Sequence, residues 1–234
     1  MTTRVSSEAR EAMWDSLPIA LGYFTVALAF GLYAVGAGVP APVAGAISLT
    51  NLSSSGQFAG ITIFADGGAW LQVALGVALV NLRYVLMAVS LCQRLDPATP
   101  TWQRLVMAAG ITDEIYALGM GRPRVTFANY TASMALPILG WTGGTLVGAA
   151  VGEVLPDALR SASGVLLYAM FVAIVVPAAR ASTRVLAVVV GSAALSATLS
   201  FVPGLSVGWR IIVVALVTCA VAATVLPVPR EETA

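Results

Sequence analysis

The chain has 234 residues, of which 59% are hydrophobic and only 10% are charged, and its formal net charge is +1. Soluble domains average about 25% charged residues, so this composition excludes a chain that is covered by water on all sides. We therefore predict an all-α, polytopic membrane helix bundle. A nucleic-acid partner has no support, because all twelve basic residues are arginines spread along the chain and form no patch.

Two further absences narrow the chemistry. The chain contains no histidine, which removes His-based catalytic triads and metal or haem ligation through His. The two cysteines, Cys92 and Cys219, show no ligand spacing and are interpreted as packing residues. We expect no catalytic residue, no metal site and no cofactor.

Eight apolar runs follow a mixed-charge leader. The leader, residues 1–16, predicts a cytoplasmic helix ahead of a first span that is retained. A span needs about 20 residues, so we expect about 7–8 transmembrane or re-entrant segments, of which about seven cross fully, in one membrane domain over residues 1–234. The runs are Leu17 to Gly38, Ala41 to Ala65, Ala69 to Cys92, Gln103 to Gly121, Phe127 to Gly152, Ser161 to Ala179, Val185 to Val202 and Gly208 to Leu226.

The arginines lie mostly between these runs, and cytoplasmic loops are enriched in positive charge. The loop around Arg94 and the loop around Arg122 and Arg124 are separated by one apolar run. If that run crosses the membrane, the two basic loops lie on opposite sides. Either the charge rule is broken once, or Gln103 to Gly121 enters and leaves on the same face.

The chain also contains a weak internal echo. The segment "LPIALGYFTVALAFG" from Leu17 resembles "LPILGWTGGTLVG" from Leu136. Transporters are often built from two such halves around a central site, although biased apolar composition imitates repeats. A possible internal repeat would relate a first half, residues 17–121, to a second half, residues 127–226.

Six polar or flexible residues occur in the middle of the second run. Such a sequence is poor for a continuous lipid-facing helix, and irregular backbone survives at membrane depth only where it lines a cavity or is buried in protein. We interpret the stretch as an unwound or re-entrant segment that binds substrate; the alternative is a regular helix whose small residues allow close packing. The residues are Asn51, Ser53, Ser54, Ser55, Gly56 and Gln57.

Three charges occur inside two neighbouring apolar runs. Arg83 lies nine residues before Cys92, and Asp113 lies ten residues after Gln103, so both are expected about 14 Å from a shared face. Arg83 could form a structural ion pair with Asp113, leaving Glu114 neutral or facing a loop. Alternatively, one acid carries a proton or meets the ammonium group of a ligand.

These motifs carry a family resemblance. "LPIALGYFTVALAFG", "SSSGQFAG", "NLRYVLMAVSL" and "ITDEIYAL" resemble the AzlC family, the large subunit of bacterial branched-chain amino-acid exporters. The resemblance implies a proton-driven exporter of hydrophobic amino acids, multi-pass in the bacterial inner membrane, that works with a small AzlD-type membrane subunit. Asn81 and Tyr116, which lie in two of these motifs, are added to the candidate substrate-binding residues. The chain lacks the GxxxxGK[ST] phosphate-binding loop, so we expect no ATP binding by that motif.

A zwitterionic amino acid needs a partner for each of its charges. We expect free backbone N–H groups near Ser54, Ser55 and Gly56 to hold the carboxylate. Asp113 or Glu114 would meet the ammonium group, with Arg83 orienting the acids. A channel or facilitator for a small polar solute is the main alternative. An aspartyl enzyme is disfavoured, because adjacent acids on one helix point about 100° apart.

Overall fold

The computed structural model describes residues 2–155, 172 and 175–225, and these residues form helices and connecting turns without any strand. The predicted all-α fold is confirmed, whereas most of the predicted run Ser161 to Ala179 lies outside the described residues. The helices with defined bounds are α1 Thr2–Asp15, α2 Leu17–Gly36, α3 Ala41–Thr50, α4 Ser54–Ala65, α5 Trp70–Val80, α6 Leu82–Arg94, α7 Thr101–Ala109, α8 Asp113–Met120, α9 Phe127–Val154, α10 Thr183–Leu199 and α11 Val207–Val225.

The contacts between residues divide the chain into two compact units. Unit 1 comprises Met1–Phe58 and Asn81–Leu167, and unit 2 comprises Ala59–Val80 and Tyr168–Ala234. All the candidate site residues singled out in the sequence fall in unit 1. Within unit 2, α11 packs against both α5 and α10, and Gln72 Nε2 of α5 donates a hydrogen bond of 2.8 Å to Ser206 just before α11.

Several helices are long and apolar enough to cross a bilayer. Among the described residues they are Ser7–Gly36, Phe127–Val154 and Val207–Val225, and the pair α5 and α6, which Asn81 separates, would count as a fourth span by length and composition. The predicted leader is indeed helical, but it continues into the first span with only Ser16 between α1 and α2. It also packs against α9.

The centre of unit 1 is a pair of parallel helices, α2 and α9. Gly140, Gly144 and Gly148 of α9 face the backbone carbonyl groups of Ala20, Phe24 and Leu28 of α2 so closely that a Cβ atom at any of the three would overlap them. Glycines four residues apart let two helix backbones approach in this way, as is typical of membrane helices. The residue numbers rise together along both helices, which makes the pair parallel. The two segments of the sequence echo therefore pack side by side.

The fourth run reverses direction inside the protein. Helix α7 ends at Ala109 and α8 begins at Asp113, and the intervening turn contains Gly110, whose Cα packs tightly on Met134. The two outer ends of this α7–α8 hairpin lie at the same end of unit 1, because Arg94 Nη2 donates a 3.1 Å hydrogen bond to the carbonyl oxygen of Arg122. The structure therefore favours the second alternative for the two basic loops, in which the run Gln103 to Gly121 enters and leaves on the same face.

The second run also reverses. Gln57 Nε2 of α4 donates to the carbonyl oxygens of Ile47 at 3.4 Å and of Asn51. In a continuous helix, residues 47 and 57 would be about 15 Å apart. The predicted interruption is thus confirmed at residues 51–53, the tip of an α3–α4 hairpin, whereas residues 54–57 of the predicted stretch are helical. The expectation that about seven runs cross fully needs correction, because two of the eight turn back at a helix break.

Candidate functional site

The tips of the two hairpins meet at an aromatic pair on the central helices. Tyr23 of α2 and Trp141 of α9 pack edge to face, with ring centroids 5.5 Å apart. Leu52, at the tip of α3–α4, is buried against Trp141. Thr112, at the tip of α7–α8, has its Oγ1 2.6 Å from the Tyr23 hydroxyl oxygen. We call Tyr23 and Trp141 the aromatic pair.

Next to Trp141, the side chain of Gln57 organises a buried polar network. Its Oε1 accepts hydrogen bonds from Trp141 Nε1 at 3.3 Å and from Ser48 Oγ at 3.4 Å. The Ser48 hydroxyl is also 2.7 Å from Thr145 Oγ1. Ser48 and Thr145 are completely buried and Gln57 is 2% exposed. Buried polar groups are costly unless hydrogen-bonded, and here they fasten the α3–α4 hairpin to α9.

The break itself is stabilised by Ser53. Its hydroxyl accepts from the Gly56 backbone N–H at 3.1 Å and donates to Asn81 Oδ1 at 2.5 Å. Asn81 lies at the bend between α5 and α6, so it joins two helix breaks, and the proximity of Gly56 to its amide leaves no space for a Cβ there.

These contacts refine the expected anion site at the start of α4. The Gly56 N–H is occupied by Ser53 and is not available to a ligand. Ser54 and Ser55 occupy the first turn of α4 and are half-buried, as is Asn51, whereas Ser53, Gly56 and Gln57 are buried. The ligand-facing candidates are therefore Ser54 and Ser55.

The predicted equal depth of Arg83 and Asp113 is confirmed. Arg83 Nη1 lies 2.8 Å from Asp113 Oδ2, and their side chains are 48% and 41% exposed. Arg83 also donates to the Tyr84 hydroxyl at 3.3 Å and lies 5.1 Å from the centroid of that ring. Arg83 therefore forms an ion pair with Asp113, which was the first of the two interpretations.

Glu114 has different partners from its neighbour. The Tyr23 hydroxyl donates to Glu114 Oε2 at 2.5 Å, so the carboxylate faces the aromatic pair and not a loop. Both acids occupy the first turn of α8, where the side chain of Thr112 caps the helix by accepting from Ile115 N. The positive end of a helix dipole favours carboxylates, which helps to explain how two adjacent acids are tolerated beside apolar helices.

The aromatic pair contacts two of the predicted residues directly. Gln57 touches it through Trp141, and Glu114 touches it through Tyr23. Tyr116 stands apart, because its hydroxyl donates to Ser90 Oγ of α6 at 2.8 Å and its ring packs on the core around Met107 and Ile115. The remaining predicted residues lie at the two hairpin tips or beside them, and these are Asn51, Ser53, Ser54, Ser55, Gly56, Asn81, Arg83 and Asp113.

Sequence reasoning missed five members of the centre, which are Tyr23, Ser48, Thr112, Trp141 and Thr145. Trp141 lies in the middle of α9 and is 2% exposed, so it is a core residue and not an interfacial anchor. Its position in the middle of an apolar run of membrane length indicated a buried residue. Thr112 was also recognisable, since Thr followed by an acid-rich first turn is a helix start signal.

Comparison with known proteins gives a consistent result. The pattern of the family described as "AzlC protein" matches residues 18–155. The chain is 29% identical over 174 residues to "Inner membrane protein YgaZ" of Escherichia coli K12, covering 71% of each chain. It is 28% identical to an "Uncharacterized membrane protein" of Helicobacter pylori, covering 62% of this chain and 64% of the relative. Another protein of that name, from Archaeoglobus fulgidus, is 27% identical, with coverages of 64% and 65%. No solved structure matches the chain.

Proposed function

This chain belongs to the AzlC family, and from that premise we propose that it is a secondary active exporter of branched-chain and related hydrophobic amino acids, coupled to the proton gradient. The observation that carries the proposal is the meeting of two helix breaks at the aromatic pair. Broken helices at mid-membrane are the usual place where transporters hold substrate and coupling ions.

The two breaks offer complementary partners to a zwitterion. Helix α4 presents the first turn at Ser54 and Ser55, and helix N-termini favour anions such as a substrate carboxylate. Helix α8 presents Glu114, a carboxylate suited to an ammonium group. Both ends are connected through contacts of Tyr23 and Trp141. The apolar side chain of the substrate would lie against the half-buried ring of Tyr23.

The proposal extends to the assembly of the protein in the cell. We place the chain in the bacterial inner membrane as a multi-pass protein, in keeping with the name of its E. coli relative as an inner membrane protein. Its partner would be a small AzlD-type membrane subunit, as the family resemblance implies. Energy would come from the proton gradient and not from ATP bound by this chain.

A transport assay in proteoliposomes tests the proposal directly. The protein, with and without its small subunit, is reconstituted and labelled leucine is supplied while a pH difference is imposed. We expect leucine to accumulate inside the vesicles above its external concentration while the pH difference is present. When a protonophore removes the pH difference, the two concentrations should become equal. Glycine, which lacks an apolar side chain, serves as the matched poor substrate.

The same assay distinguishes the exporter from the alternative, a facilitator for a small polar solute. The row of hydroxyl and amide groups at the α4 break is the observation that favours a facilitator. A facilitator equilibrates its solute but never concentrates it. Equal leucine and glycine fluxes that ignore the pH difference would therefore contradict the exporter and support the facilitator.

A further inference from the structure

We propose that Glu114, and not Asp113, is the carboxyl group that binds and releases the coupling proton, and that Tyr23 and Thr112 act as a hydrogen-bond switch that holds it in either state. This inference rests on the proposed proton-coupled transport, and it assigns the roles of individual residues within it.

The charges around the two acids differ. Asp113 is paired with Arg83 at 2.8 Å, so a proton on Asp113 would abolish an ion pair and leave the guanidinium group without its counter-charge. Glu114 has no basic side chain within ion-pair distance among the described residues, and its close partner is the neutral phenol of Tyr23. A proton on Glu114 therefore removes an uncompensated negative charge at no cost in ion pairing.

The hydrogen bonds around Tyr23 fit both protonation states. The phenol oxygen lies 2.5 Å from Glu114 Oε2 and 2.6 Å from Thr112 Oγ1, yet a phenol has one proton to donate. When Glu114 is ionised, Tyr23 donates to it and the Thr112 hydroxyl can donate to Tyr23. When Glu114 is protonated, it can donate to Tyr23, whose own proton then points to Thr112. The change needs only rotation of hydroxyl groups.

Other ionisable groups near Glu114 do not duplicate this role. Helix α6 contributes Arg83 and Tyr84, which bind each other at 3.3 Å, and α8 itself contributes Asp113, which is engaged by Arg83. Helix α9 contributes no ionisable side chain to these contacts; its Trp141 packs on the Tyr23 ring. Of the two adjacent acids, Glu114 is therefore the one that can take up a proton without disrupting the ion pair of Arg83 and Asp113.

The aromatic pair also connects this switch to the start of α4. Trp141 packs against the ring of Tyr23 and donates to Gln57 in the first turns of α4. A substrate bound between α4 and α8 would thus contact the ring whose hydroxyl reports the protonation state of Glu114. Tyr23 and Thr112 are positioning residues in this mechanism, since they act through Glu114.

Infrared difference spectroscopy of the purified full-length protein provides a test that needs no substrate. The C=O stretching band of a protonated carboxyl group is followed as pH is changed across the range in which the protein stays folded. We expect the titrating band in the parent and in Asp113→Asn, and we expect it to be lost in Glu114→Gln. Tyr23→Phe removes a hydrogen bond to the ionised Glu114 carboxylate. The pH at which the band is half-formed should therefore rise by about one unit. Thr112→Ser keeps the cap and the hydroxyl group and should leave the band unchanged.

Transport by the same variants tests the coupling. Glu114→Gln should fail to accumulate leucine when a pH difference is imposed. A band that survives in Glu114→Gln, or disappears in Asp113→Asn, or is absent from the parent, overturns the assignment. If the Glu114 band is present but the parent transports no leucine, the assignment stands and the amino-acid exporter is wrong.

Discussion

Arg83 and Asp113 form a half-exposed ion pair that should behave as one unit. Replacing one partner leaves an uncompensated charge, whereas replacing both removes the interaction cleanly. We expect Arg83→Gln or Asp113→Asn alone to lower the stability in detergent by about 1 kcal/mol. The double variant should lose clearly less than the sum of the two, as measured by thermal unfolding. Arg124→Gln, at an exposed arginine, is the matched control, and strictly additive losses would contradict a coupled pair.

The buried hydroxyl pair of Ser48 and Thr145 carries a second prediction. Thr145→Val removes the 2.7 Å contact and leaves Ser48 with one long hydrogen bond, so the free energy of unfolding should fall by about 1–3 kcal/mol. Thr131→Val on the same helix is the control, because the Thr131 hydroxyl bonds, among the described residues, only carbonyl groups of its own helix. Equal melting temperatures of the two variants would show that the network adds no stability.

Some single residues could be predicted from the sequence and others could not. The meeting of Arg83 and Asp113 followed from counting residues along two helices from a common loop. Tyr23 and Trp141 meet only because α2 and α9 pack in parallel, and they are 118 positions apart in the chain. Nothing local in the sequence specifies that register, so the aromatic pair was missed.

Among the helices, the glycines of α9 make a sharp prediction. Gly144 faces the carbonyl group of Phe24, whereas Gly143, on another side of the helix, has open space. Gly144→Ala should lower stability by about 1–3 kcal/mol through overpacking, while Gly143→Ala should be neutral or slightly stabilising because Ala is the better helix former. Circular dichroism during heating in detergent measures both. A neutral Gly144→Ala would show that the two helices are further apart than described.

The breaks of α3–α4 and α7–α8 were better specified by sequence than the paths of their helices. Poor helix formers at Asn51 to Ser53 and Gly110 identify where each helix must stop. The direction taken after a break depends on tertiary contacts, such as the bond from Gln57 back to Ile47. The sequence therefore gave eight membrane runs and identified the second and fourth as candidates for re-entrant segments, and the contacts between helices show that both turn back.

At the scale of the whole molecule, the α7–α8 hairpin predicts from which side of the membrane a thiol reagent can label introduced cysteines. In a variant lacking Cys92 and Cys219, single cysteines are placed at Ala98 before α7 and at Arg124 after α8, both exposed positions. A maleimide that cannot cross membranes should label both from the same side of oriented vesicles, because the hairpin returns to its starting face. A cysteine at Gly36, at the far end of α2, should react only from the other side. Labelling of positions 98 and 124 from opposite sides would mean that the segment crosses.

The arrangement of units also limits what sequence can say about the molecule. Residues 59–80 interrupt unit 1 and belong with the C-terminal part of the chain, so the units do not coincide with the halves suggested by the echo at Leu17 and Leu136. That echo instead relates two helices of one unit. A repeat detected by sequence similarity says which segments are alike, but not which segments share a core.

The glycine contact between α2 and α9 has a mechanical consequence. Backbone touches backbone at three successive turns, so these helices cannot rock against each other by letting side chains give way. An opening of the centre toward one side of the membrane is therefore expected in the two hairpins, whose contacts with α9 are made by side chains. In the proposed transporter, the helix pair would be the rigid part and the hairpins the parts that move.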